Sequence, residues 1–403
     1  MYETEGFAEF SPSGTRMNSP RFSIVIPTKE RHGTLPYAIR SAIDQEGQDF
    51  EVVVQDNCSG PETAAVVRQF RSPRLKYARS PYPLPMNENW EAALRLCEGE
   101  YVFFMGDDDA MMPDGLALAR SILDRARLEV LSWRKYNYWW DNAVEPTLAG
   151  RLFLHLDTAF QQFDPAILLE AYYDWRVGCD LMPSIYQAFV HRDLIARVKA
   201  KAGAYFAVGA PDNFTGIANA AMAANIGWFE RGLSICGNSG ASTGCSYYFR
   251  SKGAARRAAY HQEEGKGIEE IIHPALIPSV NLEINFADMQ LRVKDMLFPQ
   301  DSRFQVNIRK VLEAMATNVN RDPDTYDEVV AEIRALASKH AIDWSSLTIP
   351  PKAPPARPVM QGPMAGPDAK INLLAVNCTQ AGVHDAAQAA VLASSILPVL
   401  TIQ

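Results

Sequence analysis

From Phe22 onward the chain alternates between short apolar runs and stretches of helical spacing. Residues 22–27 are apolar and read as a strand; residues 34–45 place Leu35, Ala38, Ile39, Ala42 and Ile43 on one helical face. Residues 50–54 predict a second strand, and residues 63–70 a second helix after the turn signal Asn57-Cys58-Ser59-Gly60-Pro61. The alternation continues with a strand at 75–78, a helix at 87–97, a strand at 101–105, a helix at 116–126 and a strand at 128–133. Strands separated by helices of this length need right-handed crossovers, which predicts an α/β fold with a doubly wound, mainly parallel sheet.

Beyond Tyr136 the pattern loosens into aromatic-rich segments around Tyr136, Tyr138, Trp139 and Trp140, and around Tyr172, Tyr173 and Trp175. Such rings could stack on a sugar, but core packing is the ordinary role of each. Residues 252–340 are mostly helical in pattern, with a capping signal at Asp324-Thr-Tyr-Asp-Glu before Val329. Seven prolines between Pro350 and Pro367 mark a semi-rigid linker. A short apolar, Ala-rich tail begins at Ile371 and is expected to dock on the body or on a second copy of the chain. The first twenty residues, rich in Ser, Pro, Gly and Glu, read as a flexible lead-in.

Composition narrows the class. The 403 residues are 47% hydrophobic and 21% charged, as in a soluble protein with a sizeable core. A net charge of −8 argues against nucleic acid as the main partner. The six cysteines are scattered with no C-x-x-C pair, so zinc and redox chemistry are not indicated. Nothing near Met1 resembles a signal peptide and no stretch has the apolar length of a membrane span, so the expected compartment is the cytoplasm, with at most peripheral membrane contact.

The densest chemistry lies in Tyr101-Val-Phe-Phe-Met-Gly-Asp-Asp-Asp109, where an apolar run ends in three adjacent carboxylates. Like charges held together repel unless a cation or a set of hydrogen-bond donors compensates. Hard oxygen ligands at the end of a buried strand suit Mg²⁺ or Mn²⁺, which in turn would hold phosphates. The bland alternative is an acidic turn capping the helix that follows Pro113. Open sheets bind ligands at the carboxyl ends of their strands. Two further polar segments fall at such ends, Pro27-Thr28-Lys29-Glu30-Arg31 and Gln55-Asp56-Asn57. Neither the dinucleotide G-x-G-x-x-G nor a Walker-type loop is present, which excludes the common dehydrogenase and P-loop classes.

Phe22-Ser-Ile-Val-Ile-Pro-Thr-Lys-Glu-Arg31, Glu51-Val-Val-Val-Gln-Asp-Asn57 and Gly99-Glu-Tyr-Val-Phe-Phe-Met-Gly-Asp-Asp-Asp109, with Met112-Pro-Asp114, together resemble family 2 glycosyltransferases of the GT-A fold. The resemblance is close over residues 21–133 and looser to Gly244. It implies an inverting, metal-dependent enzyme that moves a sugar from a nucleotide-sugar donor, UDP-linked by expectation, to a carbohydrate or glycolipid acceptor. Together with the compositional boundaries above, the expected division is a flexible lead-in (1–20), a nucleotide-sugar half (21–135), an acceptor half (136–250), a helical extension (251–345), the Pro-rich linker (346–370) and the tail (371–403), with the C-terminal part a candidate route to homo-oligomers.

Residue by residue, the resemblance implies that Pro27, Thr28 and Arg31 border the nucleotide, that Asp56 meets the base, that Asp107 lies near the ribose, and that Asp108 and Asp109 are the metal ligands, for Mn²⁺ or Mg²⁺. The common family spelling Asp-x-Asp-Asp has Gly106 at its first position here, which leaves the division of duties among the three aspartates open. Inversion needs one further group, a base for the acceptor hydroxyl. Asp212, in Val208-Gly-Ala-Pro-Asp-Asn-Phe, resembles the family's element for that role; its plain alternative is a helix N-cap. Gly237-Asn-Ser-Gly-Ala-Ser-Thr-Gly244 could close over a diphosphate with its N–H groups or be a simple connection. His273 is a weaker metal candidate, and His32 lies beside the nucleotide-side motif; a structural role is the ordinary reading of each. The rivals are a nucleotidyltransferase, disfavoured by the missing Gly-rich loop, and a sugar-nucleotide-binding relative without catalysis.

Overall fold

The computed structural model describes residues 19–265, 272–354 and 372–400. The lead-in and most of the Pro-rich linker lie outside them.

The predicted alternation forms as β1 (Phe22–Thr28), α1 (Leu35–Ile43), β2 (Phe50–Asp56), α2 (Pro61–Val67), β3 (Leu75–Arg79), α3 (Met86–Arg95) and β4 (Tyr101–Phe104). Strands β3-β2-β1-β4 lie side by side and all parallel. Their near-continuous apolar sequences follow from burial on both faces. Phe22, Ile24, Ile26, Val52, Val54 and Phe103 pack against α1 and α4 (Gly115–Ala126). Val25, Val53, Val102 and Phe104 pack on the opposite side with Trp90 of α3. This is the doubly wound α/β arrangement that the alternation predicts.

The sheet then departs from the simple parallel order. Strand β6 (Val130–Trp133) does not lie beside β4, because β10 (Ala188–His191) is inserted between them and runs antiparallel to both. Four residues are too few to carry a period, so the sequence gives no sign of this strand. Strand β11 (Ile226–Phe229) pairs parallel to β6, and β9 (Phe160–Phe163) closes the eight-stranded sheet.

A second, five-stranded sheet has the order β13-β8-β7-β12-β5, formed by Leu373–Asn377, Arg151–His155, Tyr136–Trp139, Ser234–Asn238 and Ala110–Met111. The chain passes from the first sheet to the second between β4 and β5. The three aspartates occupy that crossing. The aromatic-rich segments are core: Tyr136 and Tyr138 are fully buried, and Trp139, Trp140, Tyr172 and Tyr173 nearly so.

Downstream, α7 (Pro211–Met222) packs against α5 (Pro165–Tyr173), α6 (Arg192–Ala202) and α10 (Leu282–Leu297). Helix α10 then joins α11 (Ile308–Thr317) and α12 (Tyr326–Lys339) around a separate cluster with Val311, Leu312, Ile333 and Leu336. The expected capping signal acts slightly earlier: Asp322 accepts the Asp324 N–H in a short 3₁₀ turn, and Thr325 at the start of α12 makes no side-chain cap.

The tail docks on its own body. Strand β13 pairs antiparallel with β8, and α13 (Ala386–Ile396) sets Ala386, Ala389, Ala390 and Ala393 into the cluster with Ala110, Met112, Leu152, Leu154 and Ile235. Alanines on the inner face let the helix approach β5 and β12 closely. The buried Arg231 guanidinium clamps the end of the tail, donating to the Pro398 carbonyl and to Asp114, both at 2.7 Å. A chain ended at Pro354 would expose several of these large side chains, each worth about 1.5–3 kcal/mol when buried. Its melting temperature should therefore fall by several degrees in calorimetry. An unchanged melting temperature would show that the tail adds nothing to the second sheet.

Candidate active site

Strand register builds the site. Thr28 and Asp56 are register partners at the carboxyl ends of β1 and β2, and Met105 N–H donates to the Val25 carbonyl at 2.9 Å, extending β4 alongside β1. Asp107 thus arrives beside Thr28, whose hydroxyl donates to Asp107 Oδ2 at 2.7 Å. Glu30 adopts the left-handed region (φ 54°) where β1 turns toward α1. The next residue, Arg31, places its guanidinium 3.8 Å from Asp107 and 3.6 Å from Asp108.

The three aspartates are nearly buried and differ in surroundings. Asp109 accepts the Gly106 and Gly237 N–H groups, both at 2.7 Å, through its two oxygens. Asp108 accepts the Ser239 hydroxyl at 2.5 Å and the Ser239 N–H at 3.3 Å, both through Oδ2. The Trp140 indole donates to the Asp108 carbonyl at 2.9 Å. Burial pushes the Asp107 carboxyl upward from its ordinary range, with Arg31 pulling against it and Asp108 adding to it. Burial and then the Asp108 charge push Asp109 upward as well. None of the three caps α4; Asp114 stands at its N-cap position without a side-chain cap bond and pairs with Arg231 instead.

Gly106, the departure from the common family spelling, has a steric cause. A Cβ there would meet the Tyr186 hydroxyl at 2.6 Å. Tyr186 lies in a 3₁₀ turn, stacks on Trp90 and carries Lys135 over its ring at 4.8 Å. Burial, then the Asp109 charge, raises its phenol well above the ordinary value. Gly237 answers a similar demand, since a Cβ there would fall 1.7 Å from the Asp108 carbonyl oxygen.

The remaining candidates are placed as follows. Pro27 is half-buried at the end of β1. Asp56 is fully buried and accepts the Ser59 N–H at 2.8 Å and the Tyr77 hydroxyl at 2.7 Å, so it orders the Asn57–Gly60 turn. The Gly237–Gly244 segment is not a free loop. Gly237 and Asn238 complete β12, Thr243 opens α8 (Thr243–Tyr248), and the Gly237 and Ser239 N–H groups serve Asp109 and Asp108 rather than an anion.

Asp212 is the second residue of α7, not its N-cap; Ala210 holds that position and no side-chain cap bond is made. Asp212 is half-buried, and α7 is tied to the Tyr186 turn by the Ile185 N–H donating to Thr215 at 3.3 Å. Burial and the charges of Asp180 and Asp212 push the Cys179 thiol up to about 12 against the pull of Lys135, which sets all three charges around one segment. His273 is engaged within the helical extension by Asp295 at 3.2 Å and the Ala275 N–H at 3.1 Å, and His32 is exposed. Sequence patterning passes over Tyr186 and gives no sign that Ser239 and Trp140 bond to Asp108, because these roles come from contacts far along the chain.

Residues 23–167 match the family model described as glycosyl transferase family 2. Among curated relatives, the GalNAc(5)-diNAcBac-PP-undecaprenol beta-1,3-glucosyltransferase of Campylobacter jejuni is 33% identical over 101 residues, 24% of this chain and 33% of the relative. Abequosyltransferase RfbV of Salmonella typhimurium is 31% identical over 107 residues, 25% of this chain and 32% of the relative. The chain thus spans about a third of the length of these relatives. Among solved structures, S. aureus TarS with UDP-GlcNAc aligns at TM-score 0.47 and 17% identity, covering 81% of this chain and 88% of that one. The mannosyltransferase PcManGT of Pyrobaculum calidifontis, with GDP-Man and Mn2+, aligns at TM-score 0.39 and 16% identity, covering 80% and 81%.

The glycine at 106 can be tested directly. Gly106→Asp restores the common spelling but forces a side chain onto the Tyr186 hydroxyl, and overpacking of this kind costs about 1–3 kcal/mol. Urea unfolding should show that loss, and Tyr186→Phe in the same chain should recover part of it. Equal stability of Gly106→Asp and the parent would refute the steric cause.

Proposed function

We propose that the protein is an inverting glycosyltransferase that moves a sugar from a nucleoside-diphosphate sugar, UDP-linked, to a hydroxyl of a carbohydrate or glycolipid acceptor. One observation carries it: Thr28, Arg31, Asp107 and Asp108, at the ends of adjacent parallel strands, form a single hydrogen-bonded and ionic network. The relatives' printed names, which include a glucosyltransferase acting on an undecaprenol-diphosphate-linked glycan, support a polysaccharide or glycolipid setting.

Mn²⁺ or Mg²⁺ fits the residues present. Among the described residues no group of three or more His, Cys, Asp or Glu side chains converges as a complete cage. Such cations commonly rest on one or two carboxylates and complete their shell with phosphate and water. Asp108 would supply one carboxylate; the second expected ligand, Asp109, has both oxygens taken by backbone N–H groups, so Asp107 would serve in its place, with Arg31 supplying positive charge beside Asp107 and Asp108. When bound, the cation would neutralise charge gathering on the departing diphosphate. Asp109, with both oxygens accepting backbone N–H groups, would hold the turn in shape. Arg31 and Thr28 would border the diphosphate, and Pro27 and Asp56 the base. Asp212 would take the proton from the acceptor hydroxyl as its oxygen attacks the anomeric carbon from the face opposite the leaving group. No helix of the described residues is long and apolar enough to cross a membrane, so a lipid-linked acceptor would be met at a membrane surface.

Two measurements test these roles. Asp108→Ala should abolish the Mn²⁺-dependent part of UDP-sugar affinity in calorimetric titration while leaving the melting temperature within a few degrees; retained metal-dependent affinity would remove Asp108 from the cation site. Asp212→Asn should lower transfer by about 10²–10⁴-fold with donor affinity unchanged. A first-turn carboxylate that acted only on the helix dipole would be worth about 0.3–1 kcal/mol of stability. Near-normal turnover in Asp212→Asn would therefore leave it that minor role and exclude it as the base.

A further inference from the structure

The Asp108 carboxylate is held from one side only. Its Oδ2 accepts both the hydroxyl and the N–H of Ser239, while Oδ1 accepts no hydrogen bond among the described residues. Ser239 is itself buried, 2% exposed, and stands immediately after β12. Its place is fixed from several directions. Register pairs Ile235 with Ala110, and Gly237 N–H reaches Asp109 at 2.7 Å. Beyond Ser239, the Gly240 N–H donates to Asn142 at 3.2 Å and the Ser242 N–H returns to the Ser239 carbonyl at 3.0 Å. Arg31 donates to the Ser239 hydroxyl oxygen at 3.2 Å and to the Ala241 carbonyl, so that hydroxyl must direct its own proton to Asp108.

We propose that Ser239 is a positioning residue for a divalent-cation site: its hydroxyl anchors Asp108 by Oδ2 and turns Oδ1 toward the cation that the donor diphosphate brings. The assignment rests on the cation role proposed above for Asp108. Partners that orient a ligating carboxylate are typically worth about 10–100-fold in metal affinity. The residue lies some 130 positions after Asp108, which is why the acidic motif alone does not contain it.

The test is Mn²⁺ titration followed by electron paramagnetic resonance of the free ion, with UDP as the nucleotide probe, on the full chain and on Ser239→Ala, Ser239→Cys and Asp108→Ala. Melting temperatures are recorded on the same preparations. The wild type should bind Mn²⁺ and Asp108→Ala should not. Ser239→Ala should bind about 10–100-fold more weakly, and Ser239→Cys, a weaker donor of nearly the same size, should fall between. Wild-type affinity in Ser239→Ala, with Asp108→Ala still defective, would overturn the positioning role and leave the cation site intact. If Ser239→Ala does not fold, Ser239→Cys decides, and wild-type affinity there overturns the proposal. Absence of Mn²⁺ binding in the wild type would overturn both the cation site and the role of Ser239.

Discussion

Three carboxylates that are nearly buried where the chain crosses from one sheet to another set the terms for the rest of this structure. Left unpaired, each would cost several kcal/mol in desolvation alone. The fold meets that cost with partners drawn from three separate places. Thr28 and Arg31 come from the end of β1, Gly237 and Ser239 from the end of β12, and Gly106 from the turn itself. Among the described residues the ion-pair partner of the turn is Arg31, at distances longer than a hydrogen bond. The turn is thus held in shape mainly by directional bonds.

Several features otherwise unconnected follow from that constraint. Strand β12 must run close against the turn, so Gly237 carries no side chain. Tyr186 fills the space above Gly106, so the first position of the acidic motif is glycine. The tail braces the reverse side, with the Ala face of α13 against β5 and Arg231 linking Pro398 to Asp114 just beyond the aspartates. A segment that the sequence separates by a Pro-rich stretch is in this way joined to the support of the acidic turn. The aromatic residues, expected mainly as core, do pack there, and Trp140 among them also reaches the turn, through the Asp108 carbonyl.

The sequence by itself determined the doubly wound half and the position of the acidic turn. Apolar runs of fixed length, such as 22–27 and 101–105, can be satisfied only between two layers of helices, and the helical spacing of 34–45 supplies one of those layers. The carboxyl ends of those strands then had to lie together, so Thr28, Arg31, Asp56 and Asp107 to Asp109 were legible as neighbours. The tertiary structure alone decided the insertion of β10, the placement of the tail and the contrast between Asp108 and Asp109. It also decided that Asp212 lies inside α7 rather than capping it. The physical reason is range. Periodicity and turn chemistry act over a few residues, whereas Ser239, Tyr186 and Arg231 act through contacts across some 80 to 170 positions, which become neighbours only when the two sheets close on one another.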